Sequence, residues 1–376
     1  MAELFDPVRG TSEPDRLWCI TNVSEATPDI LSPLCWSIWG RVLEESWLES
    51  LYDYGVISRR EAVVSDDPNQ HATSVIYGRQ AFNVDSVRSK LARLPGVDPD
   101  DLERDLMGYV RPDRDKEPGA PLRLPIIMVK MPRAMLGAHR RLHTAYAEVR
   151  QWWRTDVLEV GRGDREAKGS PLERLRVARD CFARVFKIHV TVRMQLQAVQ
   201  SILTGAAEKA GDPTLATKVL SGQGNILEVR MADDLWRVAH GELSQQDFLA
   251  EYGFHGPNEG NVYTRSWRED PEPLRSIVRS MAARADATRP RERERATMQA
   301  AAEAQRQLLA ASSALARPYL RFVLNRARNI VRNLEIGKNG YLMGLDGCRA
   351  AARDIGRAAV ADGRLENVDD AFFLTM

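Results

Sequence analysis

The chain has 376 residues, 28% of them charged and 44% apolar, with 53 Lys plus Arg against 52 Asp plus Glu and a net charge of +1. That is the composition of a folded chain of one large or two ordinary domains. The even charge balance gives no electrostatic footing for nucleic acid or an anionic membrane as partner. Cys19, Cys35, Cys181 and Cys348 match neither a zinc-site spacing nor a CxxC pair and read as free thiols of a reducing compartment. The start, MAELFDPVRG, is polar and has no apolar signal core, and no apolar run approaches the roughly 18 residues that span a bilayer. The expected location is cytoplasmic.

In chain order, Trp18 to Val23 reads as a short extended piece. Ser32 and Pro33 then form an N-cap and first-turn pair for a helix to about Tyr54, with Leu34, Ile38, Val42, Leu43, Trp47 and Leu51 at helical spacing. Residues 74 to 84 alternate loosely and are predicted extended, and a helix follows from Asp85 to Leu94. Residues 111 to 125 form a loop rich in Pro and charge. The apolar run IIMVKM after it fits strand or helix equally. Helical patterns cover Met135 to Val160, Ser170 to about Ala210, Thr214 to Leu220 and 226 to His240. Ser244 with Asp247 makes a capping-box-like start for SQQDFLAEYG. In the last third, residues 290 to 317 are helical, Pro318 predicts a kink or break, and 319 to 335 and 340 to 362 read as two further helices. The predicted fold class is mainly α, a multi-helix domain with a few short strands or extended segments.

No phosphate-binding loop, dinucleotide fingerprint, zinc-protease motif or nucleophile elbow occurs, and no metal site is expected. Two places carry polar residues that packing alone does not demand. Phe182, Phe186, His189, Arg193, Leu196 and Gln200 share one helical stripe. His189 and Arg193 interrupt its apolar face, either as a structural ion pair or as a polar patch on the floor of a pocket, since an unpaired buried charge costs several kcal/mol. His143, on the preceding helix, reads either as a satisfied core or surface histidine or as a catalytic one. The second place is EYGFHGPNEGNVYTRSWRED, residues 251 to 270. Gly253, Gly256 and Gly260 permit positive φ and Pro257 stiffens the loop, so His255 and Glu259 are presented from a shaped connection between helices. A histidine accepts a proton near neutral pH, and Arg265 and Arg268 are suited to phosphate oxygens. An interhelical turn with polar decoration is the bland alternative.

This loop resembles the GHRGPxE…WxEdP segment in the acceptor-binding domain of dikinases related to phosphoenolpyruvate synthase and rifampicin phosphotransferase. Asn22, Glu25, Pro28, Ser32, Pro33 and Leu34 resemble the family's opening motif. Asn83 in YGRQAFNVD, LPG at 94 to 96 and RAAARDIGRAAVADGRLENVDDAFFLT fit in the same order. The resemblance implies an acceptor-binding part. Residues 1–120 would supply the acceptor-pocket segment, 121–270 the long-helix region with the Gly-Pro-His loop, and 271–376 a C-terminal helical array joined to the rest in one compact unit.

The resemblance further implies that ATP and Mg are bound by a partner carrying an ATP-grasp domain and a swivelling phosphohistidine, ATP being converted to AMP and phosphate. The layout is most similar to phenol-phosphorylating dikinases with a separate acceptor subunit, such as hydroxyphenylethanone dikinase, and implies a small aromatic acceptor. Where the family commonly carries an arginine, this chain has His255. That makes His255 the candidate general base, oriented by Glu259, with His143 as the alternative. Trp36 and Trp39 would enclose the ring, Asn83 and His189 would line the site, and Lys187, Arg193 and Arg265 would meet phosphoryl charge. An antibiotic acceptor and a non-catalytic helical interaction protein are the competing readings.

Overall fold

The computed structural model describes residues 7–21, 23, 24, 26–95, 97–112, 119–221, 227–283 and 289–376. Asn22, Glu25 and Gly96 of the motifs above lie outside them, as do residues 113–118 of the charged linker and the expected helix start at 226. The fold is mainly α, as predicted, with one small sheet among the described residues.

Strand β1 (Trp18–Cys19) precedes helix α1 (Pro33–Asp53), whose N-cap Ser32 accepts the Cys35 N–H and whose first turn holds Pro33. Strands β2 (Thr73–Ile76) and β3 (Arg79–Asn83) form a hairpin through Tyr77 and Gly78, both at positive φ, the turn chemistry that matches strand twist. The sheet order is β1-β3-β2, all antiparallel, with Thr73 opposite Phe82 and Trp18 opposite Asn83. Helices α2 (Val84–Leu91) and α3 (Pro99–Met107) follow. α2 starts one residue earlier than the pattern predicted because Asn83 caps it.

The ambiguous IIMVKM run is helical, part of α4 (Leu124–Trp152). The buried positions of α4, Ile127, Ala138, Leu142, Ala145 and Val149, keep helical spacing, so only one residue of the run faces the interior. The helix continues through a π-helical turn at Trp153–Leu158 into α5 (Glu159–Arg162), and after a short connection α6 (Pro171–Lys209) spans about 58 Å at 1.5 Å per residue.

The chain divides into two compact units: Met1–Thr191 with Phe254–Ser266 and Gly340–Met376, and Val192–Gly253 with Trp267–Asn339. The second contains α7 (Thr214–Ser221), α8 (Leu227–Ala239), α9 (Gln245–Tyr252), α10 (Glu272–Ala282) and α11 (Pro290–Ala311). Its core is Leu235, Phe248, Tyr252, Trp267 and Leu274. Asp233 is fully buried there and accepts from Arg289 Nε at 2.8 Å and Arg291 Nε at 2.8 Å. Ser244 caps α9 as predicted, accepting the Asp247 N–H at 3.0 Å.

The last helix, α12 (Arg317–Ala361), corrects two expectations. The break falls at residues 312–316, and Pro318 sits in the first turn, where its missing N–H costs nothing. Residues 335 to 340 do not end a helix. In the first unit Gly340, Gly344 and Gly347 are sites of close approach: a Cβ on Gly344 would lie 2.7 Å from the Phe182 backbone, and one on Gly347 would lie 2.4 Å from the Trp152 ring. The core beside them stacks Trp39, Phe182, Phe186 and Tyr341 edge to face, with Trp39 and Phe182 4.7 Å apart. No helix among the described residues is long and apolar enough to cross a membrane.

Candidate functional site

The loop Phe254–Ser266 belongs to the first unit, although the segments before and after it belong to the second. Its conformation differs from the glycine-based expectation. Positive φ falls at Asn258 (φ 52), a residue type that tolerates the left-handed region, while Gly253 is right-handed at φ −62. Gly260 is needed for contact instead. A Cβ there would sit 2.2 Å from the Ala26 carbonyl oxygen, which accepts the Gly260 N–H at 3.0 Å.

The segment ahead of α1 and its first turns make one side of the seat. Trp39, buried in the core, donates its indole N–H to the Gly260 carbonyl at 2.8 Å. Asn261 Nδ2 donates to the Ile30 carbonyl at 3.1 Å, and Asn258 Nδ2 donates to Asp29. The Cys35 thiol lies 3.5 Å from the same Gly260 oxygen, and burial pushes it up to about 12, against the lowering effects of its backbone contact with Val262 and of Arg349.

Helix α12 makes the other side. Arg349, 1% exposed, donates through Nε to the Thr264 carbonyl at 3.0 Å and through Nη2 to the Glu259 carbonyl and to that of Asn261 at 3.4 Å. One turn on, Arg353 Nη2 donates to the Tyr263 carbonyl at 2.8 Å, its Nε meets Asp369 Oδ1 at 3.2 Å, and its guanidinium stacks 4.8 Å from the Phe372 ring. Among the described residues no carboxylate pairs with Arg349. Carbonyl dipoles replace the lost hydration at its Nε and Nη2, while Nη1 is buried with no hydrogen-bond partner among the described residues.

Within this frame His255, 4% exposed, meets Glu259: its Nδ1–H donates to Glu259 Oε1. Its ring lies 4.4 Å from Phe254, which packs edge-on to Trp153 at 5.3 Å. The carboxylate orients the ring and selects the tautomer whose lone pair is on Nε2. Asp346, buried, accepts from Trp153 Nε1 at 2.8 Å and fixes that indole. The arrangement can position a base in a water-poor wall. No group of three or more His, Cys, Asp or Glu among the described residues could hold a metal ion.

Of the residues singled out from sequence, His255, Glu259, Trp39 and Arg265 meet at the loop and its seat. Arg265 is exposed and lies 3.5 Å from Asp369. Trp36 is half-buried on α1, beneath Gly40. Lys187 pairs with Glu49, and His189 stacks on Phe186 and lies edge-on to Tyr341 at 5.3 Å. Asn83 is fully buried, accepts the Ser86 N–H as the cap of α2 and donates to the Asn69 carbonyl at 2.7 Å. His143 is exposed on α4, 4.4 Å from the His139 ring. Arg193 corrects the stripe argument. It is solvent-exposed in the second unit, so its charge needs neither a buried partner nor a cavity. Arg349 and Arg353 were missed. Their signal was a pair of arginines at i and i+4 in the alanine-rich CRAAARD run, where a helix face of small residues leaves room for guanidinium groups.

Residues 243–335 match the model of the rifampicin phosphotransferase fourth domain, about a quarter of the chain and a stretch that includes the whole loop. No curated protein sequence matches the chain. The match supports a relation to the phosphoenolpyruvate synthase and rifampicin phosphotransferase-like dikinases and, in general terms, phosphotransferase activity.

Proposed function

We propose that this chain is the acceptor-binding subunit of an ATP-dependent dikinase that phosphorylates a phenolic hydroxyl, as on a 4-hydroxyacetophenone-like ring. The observation that carries the reading is the His255–Glu259 pair on a loop whose backbone is gripped by Arg349 and Arg353. The partner would hold ATP and Mg and present a phosphohistidine. In the transfer the N–P bond of that phosphohistidine breaks as the acceptor oxygen bonds to phosphorus, and the hydroxyl proton passes to His255 Nε2. A phenol, with a pKa near about 10, needs only a modest base. In-line placement and cations do the rest, with Arg265, exposed on the loop, as a candidate. At 4% exposure His255 meets an acceptor only after a local shift of the loop, so base and acceptor come together on docking.

The test is reconstitution of the chain with an ATP-grasp and phosphohistidine partner, ATP, Mg and 4-hydroxyacetophenone, following AMP. Acceptor-dependent AMP that falls with His255→Ala supports the reading, and unchanged turnover in that variant removes His255 as base. The match to a rifampicin phosphotransferase domain favours one second reading, a bulky antibiotic hydroxyl as acceptor. A panel pairing rifampicin with simple phenols separates the two.

A further inference from the structure

The geometry points to a second small-molecule site in the first unit, on a face of α12 turned away from the loop. It is a cleft of about 360 Å³ between the π-helical turn, the start of α6 and α12. Arg349 and Arg353 face the loop, whereas Gly347 and Ala351, more than a quarter-turn from both by about 100° per residue, line the cleft with Ala350 at its edge.

Four observations give it the character of a built site. Its volume lies within the range of ligand pockets, about 300–1,000 Å³. Its floor is apolar: Trp152 lies against α12 at Gly347, where a Cβ would come within 2.4 Å of the ring, and Val157, Ala350 and Ala351 complete it, with Val177 at the mouth. Asp156 and Val157 enter from the π-helical turn, a backbone irregularity that recurs at functional sites. The rim holds polar groups with capacity to spare. Arg174 on the rim is held by Asp354 through Nη1 at 2.6 Å. Lys168 and Asp156 line the rim with no ion pair among the described residues.

These features define the ligand. An aromatic ring fits the Trp152 and alanine floor. A carbonyl or similar oxygen accepts from Lys168, and a hydroxyl or amine donates to Asp156. Lys168 and Arg174 are balanced by Asp156 and Glu173 on the rim, so the site suits a neutral molecule over an ion. The ligand class is a small, flat, neutral aromatic with an acceptor at one end and a donor at the other. This does not depend on the phosphoryl-transfer reading.

The probe is 4-aminobenzamide, with 4-methylbenzamide as its donor-less counterpart, bound to the full chain and followed by saturation-transfer NMR and calorimetry. The expected dissociation constant is about 0.1–1 mM for a ligand of this size. Val177, 48% exposed at the cleft mouth, can be enlarged without disturbing the core. Val177→Phe is expected to weaken binding at least tenfold, Asp156→Ala to abolish the preference for the amino over the methyl probe, and His255→Ala to leave binding intact. No saturation transfer with the wild type, binding indifferent to Val177→Phe, or loss of binding in His255→Ala would each overturn the site, the last by placing the probe at the loop.

Discussion

Arg349 reaches His255 through Glu259: its guanidinium donates to the Glu259 carbonyl, while the Glu259 carboxylate receives the His255 Nδ1–H. One residue therefore joins the buried cation of α12 to the imidazole, backbone on one side and side chain on the other. The fork of the guanidinium matters here as much as its charge, because it reaches three carbonyls at once.

Arg349→Lys keeps the charge and loses the fork. It is expected to cost about 2–4 kcal/mol in denaturant unfolding, the scale for leaving buried charged hydrogen bonds unmade. It should also lower phosphoryl transfer in the reconstituted reaction. Wild-type stability and turnover in this variant would show that the loop does not depend on the grip.

His255→Gln retains hydrogen-bonding capacity but not basicity. Turnover with a phenolic acceptor should fall by about 10²–10⁴, the usual share of general-base catalysis. Glu259→Gln should fall less, about tenfold, because the ring stays in place with its tautomer no longer fixed. Steady-state rates of AMP release on both variants, with folding checked by circular dichroism, decide this.

Gly344→Ala places a methyl group 2.7 Å from the Phe182 backbone. Helices α6 and α12 would have to separate locally, at a cost of about 1–3 kcal/mol. A lower midpoint in urea with an unchanged slope is the expected signature.

The thiols offer a probe of the same core. Burial pushes Cys35 up to about 12 and raises Cys348 as well. At pH 8 the thiolate fraction of Cys35 is on the order of 10⁻⁴, and the thiolate is the reactive form. Both should resist a disulfide reagent in the native protein and react at once in denaturant. Rapid native labelling of either, located by mass spectrometry, would contradict their placement.

Asp233 gives the second unit an acid limb. The Arg289 hydrogen bond and the Arg291 and Arg289 charges hold its carboxyl below the usual range, outweighing burial. Its folded pKa is depressed, so its contribution is full above the unfolded value of about 3.9 and is lost as pH falls through the folded value. Asp233→Asn should therefore destabilise at pH 7 by about 2 kcal/mol, with the gap to wild type closing below about pH 4. A gap that does not vary with pH would rule this out.

Much of the architecture was legible because it rests on local rules. Ser32-Pro33 and Ser244-Asp247 placed α1 and α9, and the alternation of 74 to 84 marked extended chain without the turn at Tyr77-Gly78 that makes it a hairpin. The failures have one origin. The stretch from 335 to 340 read as a gap between two helices, and the loop glycines read as positive φ, because sequence shows permissiveness and not what lies across the gap. Arg193 failed for a similar reason: helical spacing gives a face, not whether solvent covers it. At the site, His255 and Glu259 were readable from a short loop with unusual chemistry. Arg349 and Arg353 were not, since they act from about 90 residues away on carbonyls that carry no side-chain identity.

That last point bears on how such a wall could change over time. Arg349 and Arg353 hold the carbonyls of Glu259, Asn261, Tyr263 and Thr264, so much of the loop's course is written in α12. The exposed side chains of Tyr263 and Arg265 make none of those backbone bonds, although Tyr263 packs on Phe372 and Arg265 lies beside Asp369. They can be exchanged for others with the path of the backbone intact, and a lineage could retune what the wall touches without rebuilding it.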